Sequence, residues 1–261
     1  MSSIKIPQLL KLKDYITLIG TTLGIIALIC ASIGTRAMLS LGFFLISIST
    51  GTDMIDGYIA RKTNTMNEMG KELDSLSDSL TFGIAPAVLT YQSFKTESLF
   101  DIILIIGAIC FTIGAILRLA RFNISEVPGY TGVPTPLSAL LLTVYFYANY
   151  FYAFGKGGIK YPFLEFASYL IPFIMIIIAW FNITVYINFG EKDKTIYIIF
   201  LIIAPLCPIF GIIGILNPNF LISMIVAVFF LSSFIFALTF IVRGFFLYYL
   251  KRKKNITKIN S

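Results

Sequence analysis

The chain has 261 residues, 57% hydrophobic and only 13% charged, with a mean hydropathy of +0.89. A soluble domain of this length carries about twice that charged fraction, so the composition excludes a water-soluble globule and points to one polytopic membrane domain. The net charge of +7 calls for no nucleic acid, because basic loops facing an anionic leaflet explain it; with no histidine, any general base is another group, carboxylates first.

Taken in order, residues 1–14 read as a juxtamembrane amphipathic segment. Ile4, Ile6, Leu9, Leu10 and Leu12 interleave with Lys5, Lys11 and Lys13, a pattern that lies along a membrane surface. A cleavable signal peptide fits poorly, because the next apolar run is long and no small-x-small site follows it. Eight apolar runs follow, at roughly 15–34, 37–60, 75–93, 101–122, 136–154, 162–187, 195–215 and 220–248. The expected fold is therefore all-α, a transmembrane helix bundle of about eight spans. With the N-terminus inside, sixteen Lys and Arg face the cytoplasm and four face out, so both termini are expected to be cytoplasmic. Lys251-Arg252-Lys253-Lys254 reads as a stop-transfer and headgroup anchor. Cys30, Cys110 and Cys207 sit in apolar runs without CxxC spacing and read as small buried hydrophobes.

The most informative stretch straddles the second and third runs. Asp53 and Asp56 are three apart, and Asp74 and Asp78 four apart, so on helices each pair shares a face. Bringing the pairs together in a low-dielectric setting requires cations. Carboxylate oxygens are hard ligands suited to Mg²⁺ or Mn²⁺, and four of them suit two ions roughly 3.5–4 Å apart. Gly57 and Gly70 remove side chains where backbone approaches a helix or a ligand closely. Arg61 offers a planar fork for phosphate.

The stretch resembles the signature of the CDP-alcohol phosphotransferases, Asp-x2-Asp-Gly-x2-Ala-Arg-x8-Gly-x3-Asp-x3-Asp, at every fixed position. The resemblance implies that a hydroxyl attacks the phosphate of a CDP-linked lipid or alcohol and CMP leaves. It implies Asp53, Asp56, Asp74 and Asp78 as metal ligands, with Asp78 also the base. Gly57, Ala60, Arg61 and Gly70 become nucleotide and diphosphate contacts, joined by Asn67 in the spacer. In the first run Thr17, Thr21 and Thr22 are within reach of substrate, although hydroxyls bonded to their own helix are the simpler reading; Thr17 is carried forward as a contact. Residues 15–155 then form the catalytic core, and 156–261 add further transmembrane helices.

Phe82-Gly83-Ile84-Ala85-Pro86-Ala87, Arg118-Leu119-Ala120-Arg121-Phe122-Asn123 and Gly132-Val133-Pro134-Thr135-Pro136 resemble the integral-membrane CDP-diacylglycerol–serine phosphatidyltransferases. That implies L-serine as acceptor and CDP-diacylglycerol or CDP-archaeol as donor, with Arg118, Arg121 and Asn123 at the serine. It also implies a homodimer among membrane lipids; the topology expected from the basic residues puts the site on the cytoplasmic face. Two alternatives stand beside it. One is a sister transferase using inositol phosphate or glycerol phosphate. The other is a cation transporter with intramembrane carboxylates, against which the carboxylates cluster at one membrane face.

Overall fold

A computed structural model describes residues 9–63, 67–125, 130–189, 209 and 220–259, which are helical almost throughout. Helices α1 (Leu12–Ile33) and α2 (Arg36–Thr63) form an antiparallel hairpin. Gly34 turns the chain between them at φ +71°, a left-handed conformation that glycine adopts without a Cβ penalty, and its N–H caps α1 at the Cys30 carbonyl. The buried stripe of α1 is small: Gly20, Gly24, Ala27 and Ala31. In lipid, helix association is driven by close packing, which small residues permit. A Cβ on Gly20 would stand 2.9 Å from Thr52 Oγ1 of α2.

The expected third span forms as one helical run of three pieces: α3 (Glu68–Asp78), a π-helical turn (Ser79–Ile84) and α4 (Ala85–Phe94). Pro86 accounts for the change of winding. It has no N–H to give to the carbonyl four residues back, and its ring crowds that carbonyl. The backbone widens just before it, and the Ala85 N–H reaches the Leu80 carbonyl, five residues back.

Next come α5 (Asp101–Ile124), α6 (Thr135–Gly157), α7 (Glu165–Ile183) and α8 (Phe220–Ile259). Helix α5 meets α7 through Gly107 against Pro172 and Gly114 against Ala179, where an added Cβ would lie within about 3 Å of α7 backbone. Helix α6 is the centre of the bundle and is buried along almost its whole length. Its aromatics lock neighbours in place: Phe146 stacks on Phe43 of α2 at 4.3 Å, and Tyr147 on Phe230 of α8 at 5.3 Å. Such pairs add about 0.5–1.5 kcal/mol each beyond their burial. Tyr147 also donates its hydroxyl to the Ser40 carbonyl.

A two-residue antiparallel bridge pairs β1 (Tyr130–Thr131) with β2 (Asn188–Phe189), tying the entry of α6 to the exit of α7. Among the described residues, six helices are long and apolar enough to cross a membrane: α1, α2 to Ile59, α5, α6, α7, and α8 to Phe246. Their outward faces carry residues such as Ile25, Ile29, Ile105, Ile109, Phe173 and Val228. This marks an integral membrane protein. The span expected at 195–215 lies outside the described residues.

One expectation is altered near the start of the chain. Lys13 and Asp14, assigned to a segment lying on the membrane surface, are instead 7% and 0% exposed, inside the first turn of α1. They form an ion pair at 2.9 Å, which is how two charges are tolerated there.

Candidate metal centre and substrate cleft

Helices α1, α2 and α3 and the π-helical turn converge on one small cleft. All four signature aspartates line it, with Thr17, Gly20, Ser49, Thr52, Ser77 and Thr81. Asp53, Asp56 and Asp74 each turn one carboxylate oxygen inward, and these oxygens lie within 4.8 Å of one another. A small divalent ion with ligands at about 2.1 Å holds oxygens some 3–4 Å apart, so the trio fits a hard cation. Asp78 lines the same cleft at the end of α3, but the tight trio does not include it.

Within the trio, the Asp56 carboxylate is supported from α1. Thr17 Oγ1 donates to Asp56 Oδ2 at 2.7 Å and also lies 3.2 Å from its own helix's Lys13 carbonyl, so Thr17 joins the site through a carboxylate while keeping a local bond. Thr21 lies one turn further along; its hydroxyl is 2.7 Å from Ser77 Oγ and 2.9 Å from the Thr17 carbonyl, and its single proton serves one of them at a time. Thr22 faces outward and bonds only the Leu18 carbonyl. Burial raises the Asp74 carboxyl above its ordinary range; the Lys13 ammonium opposes that rise, and the Asp14 carboxylate adds to it.

Asn67 and Gly70 are placed by the same α1 contact. Asn67 caps α3, accepting the Gly70 N–H at 2.9 Å, and its amide donates to the Leu9 carbonyl at 3.0 Å. Gly70 is buried where a Cβ would collide with Lys13 Nζ and stand close to Asn67 Oδ1 and Asp14 Oδ1. The close approach read from Gly70 is therefore filled by this chain's own N-terminal ion pair. Gly57 lies on α2 one residue after Asp56. Ala60 and Arg61 belong to α2, but their side chains lie outside the described structure.

The three residues assigned to serine lie at the end of α5. Arg118 is 6% exposed, donates to Thr135 Oγ1 at 3.0 Å, and is within electrostatic range of Asp78. Arg121 instead binds the C-terminal carbonyls of α7, at Ile183 and at Asn182. Asn123 exchanges hydrogen bonds with Ser75 of α3, and its carbonyl accepts Lys71 Nζ. The fold brings Arg118 towards the cleft, while Arg121 and Asn123 tie helices together.

The reading from sequence missed Lys13, Asp14 and Ser77. Asp14 carried a signal: it is the one acidic residue before Asp53, and it stands three residues ahead of Thr17.

The CDP-alcohol phosphatidyltransferase family profile matches residues 10–187. A CDP-diacylglycerol–serine O-phosphatidyltransferase of Methanocaldococcus jannaschii is 40% identical over 137 residues, which cover 52% of this chain and 61% of that protein. The protein of the same name from Bacillus subtilis is 38% identical over 113 residues, covering 42% and 63%. An archaetidylserine synthase of Methanothermobacter thermautotrophicus is 30% identical over 155 residues, covering 58% and 64%. The chain thus spans a little under two thirds of the length of each of these relatives. The aspartate spacing, the convergence of those aspartates on one cleft and the match over residues 10–187 agree, and the chain belongs to the CDP-alcohol phosphatidyltransferase family.

Proposed function

We propose that the chain transfers the phosphatidyl or archaetidyl group of a CDP-linked lipid to the hydroxyl of L-serine, releasing CMP. The observation that carries this reading is the trio Asp53, Asp56 and Asp74, with oxygens within 4.8 Å in a cleft that Asp78 also lines. Two divalent ions, Mg²⁺ or Mn²⁺, held by the four aspartates would neutralise the phosphate oxygens of an in-line displacement. Asp78 accepts the proton of the serine hydroxyl as its oxygen bonds to phosphorus and the bond to CMP breaks. Arg118, held by Thr135 and within range of Asp78, binds the serine carboxylate and aims the hydroxyl at the cleft. By their positions in the signature, Gly57 and Arg61 are assigned to the nucleotide and its diphosphate. The cleft opens to the cytoplasm, and two copies associate in the membrane. The relatives' names support serine as acceptor, and include both a phosphatidyl and an archaetidyl product.

The test is CMP release by the purified full chain with a CDP-lipid, Mg²⁺ or Mn²⁺, and a panel of serine, inositol phosphate and glycerol phosphate. Serine-dependent release that a chelator abolishes and added metal restores is expected. Release dependent on another alcohol would make this a sister transferase. No release with any acceptor would remove the transfer reading.

A further inference from the structure

In this bundle a helical hydroxyl repeatedly bonds the carbonyl four residues back: Thr50 to Ile46, Ser79 to Ser75, Thr90 to Pro86 and Thr143 to Ala139. Thr81 breaks that habit. It is 1% exposed, and its Oγ1 is buried with no hydrogen-bond partner among the described residues. A buried hydroxyl left unpaired costs about 1–3 kcal/mol. Thr81 lies inside the π-helical turn, two residues after Ser79, which does make the four-back bond. Space for the hydroxyl comes from α1: a Cβ on Gly24 would stand 2.6 Å from Thr81 Oγ1. Thr81 lines the same cleft as the four aspartates.

We propose that Thr81 contacts the substrate directly, its hydroxyl donating to a non-bridging oxygen of the phosphoryl group being transferred. The inference rests on the transfer reading above and assigns that site a further residue. The chemistry of the cleft selects the ligand. Ionised carboxylates only accept hydrogen bonds, and so do phosphate oxygens. A site built from carboxylates has cations to neutralise a phosphate but needs a neutral donor to orient it. A hydroxyl donor on the lining of this cleft strengthens its bond as charge develops on the phosphoryl oxygens, and so acts on turnover.

The experiment compares Thr81→Val, which deletes the hydroxyl, with Thr81→Ser, which keeps it, in the full chain. CMP release yields kcat and the KM of each substrate, and thermal unfolding reports the fold. Thr81→Val should lose about 10–100-fold in kcat, with both KM values within about twofold of wild type and an unchanged or higher Tm. Thr81→Ser should keep most of the turnover. If Thr81→Val lowers Tm, Thr81→Ala takes its place under the same criteria. Wild-type kcat in the hydroxyl-free variant overturns the proposal, as does a loss confined to the KM for serine. An inactive wild type sinks the transfer reading as well; an active wild type with an indifferent Thr81→Val sinks this inference alone.

Discussion

The two polar regions of this protein handle charge in opposite ways. In the cleft between α1, α2 and α3, like charges are gathered: three carboxylates within 4.8 Å, Asp78 beside them and Asp14 behind Asp74, with Lys13 as a nearby cation. In the hub between α5, α6 and α7, donors meet acceptors. Arg118 reaches Thr135, Arg121 reaches the last carbonyls of α7, and Ser138 donates to Asn182 Oδ1. Two carboxylates about 4 Å apart repel by about 1 kcal/mol in water and about 4 kcal/mol near a protein surface. The hub is held mostly by its own donor–acceptor pairs, although Asn182 Nδ2 is buried without a hydrogen-bond partner among the described residues, and the cleft calls for something from outside. Removing a charge should therefore have opposite consequences in the two places.

The largest effect should come from the cleft. Asp56→Asn or Asp74→Asn removes one repelling charge and one ligand oxygen. Each should lower CMP release by several orders of magnitude. Each should also leave the Tm in chelator unchanged or raised, while abolishing the rise in Tm that Mn²⁺ gives the wild type. A variant that keeps the Mn²⁺-dependent rise would remove that aspartate from the metal set.

The hub should respond through stability instead. Gly132 has φ +80°, and a Cβ there would collide with the Asn182 carbonyl and stand 3.0 Å from Arg121 Nη2. Gly132→Val combines left-handed strain of about 1–2 kcal/mol with that collision. A Tm lowered by several degrees is expected, with the Mn²⁺-dependent rise preserved in whatever remains folded. An unchanged Tm would mean that the loop before α6 can move away from α7, and the hub would not be the rigid half of the comparison.

The same contrast explains what could be read from the sequence. The cleft is written in short spacings: Asp53 and Asp56 on one helix face, Asp74 and Asp78 on another, with Gly70 marking close approach. Helical periodicity turns such spacings into geometry without knowledge of the bundle. The membrane class was legible for a similar reason, since an apolar run of span length needs no tertiary context. The roles of Arg121 and Asn123 were not. Each depends on which helix end arrives beside it, α7 for one and α3 for the other, across separations of 62 and 48 residues. Lys13 and Asp14 were read by composition as surface residues, and only the docking of α1 on Gly70 shows them inside. The π-helical turn could be read in part, because Pro86 sits in an otherwise unbroken apolar run; the unpaired Thr81 hydroxyl could not.

The smallest expected effect separates two arginines that the sequence treats alike. Arg118 and Arg121 are three residues apart at the end of α5, and both were assigned to the serine carboxylate. Their surroundings differ. Arg121 bridges two carbonyls at the end of α7, where a cation also complements the helix dipole, a contribution of about 0.3–1 kcal/mol. Lysine keeps that charge and loses only the fork, so Arg121→Lys should lower Tm slightly and leave the KM for serine unchanged. Arg118 lies nearer the chemistry, held by Thr135 and within range of Asp78. For a residue that grips a carboxylate through two parallel bonds, lysine substitutes a single point charge. Arg118→Lys should therefore raise the KM for serine several-fold, with the KM for the CDP-lipid and the Tm little changed. Initial rates of CMP release across a serine titration measure the difference. If Arg121→Lys raises the serine KM and Arg118→Lys does not, the acceptor is reached through Arg121, and the line between the helix-tying hub and the ligand-seeking cleft has been drawn through the wrong arginine.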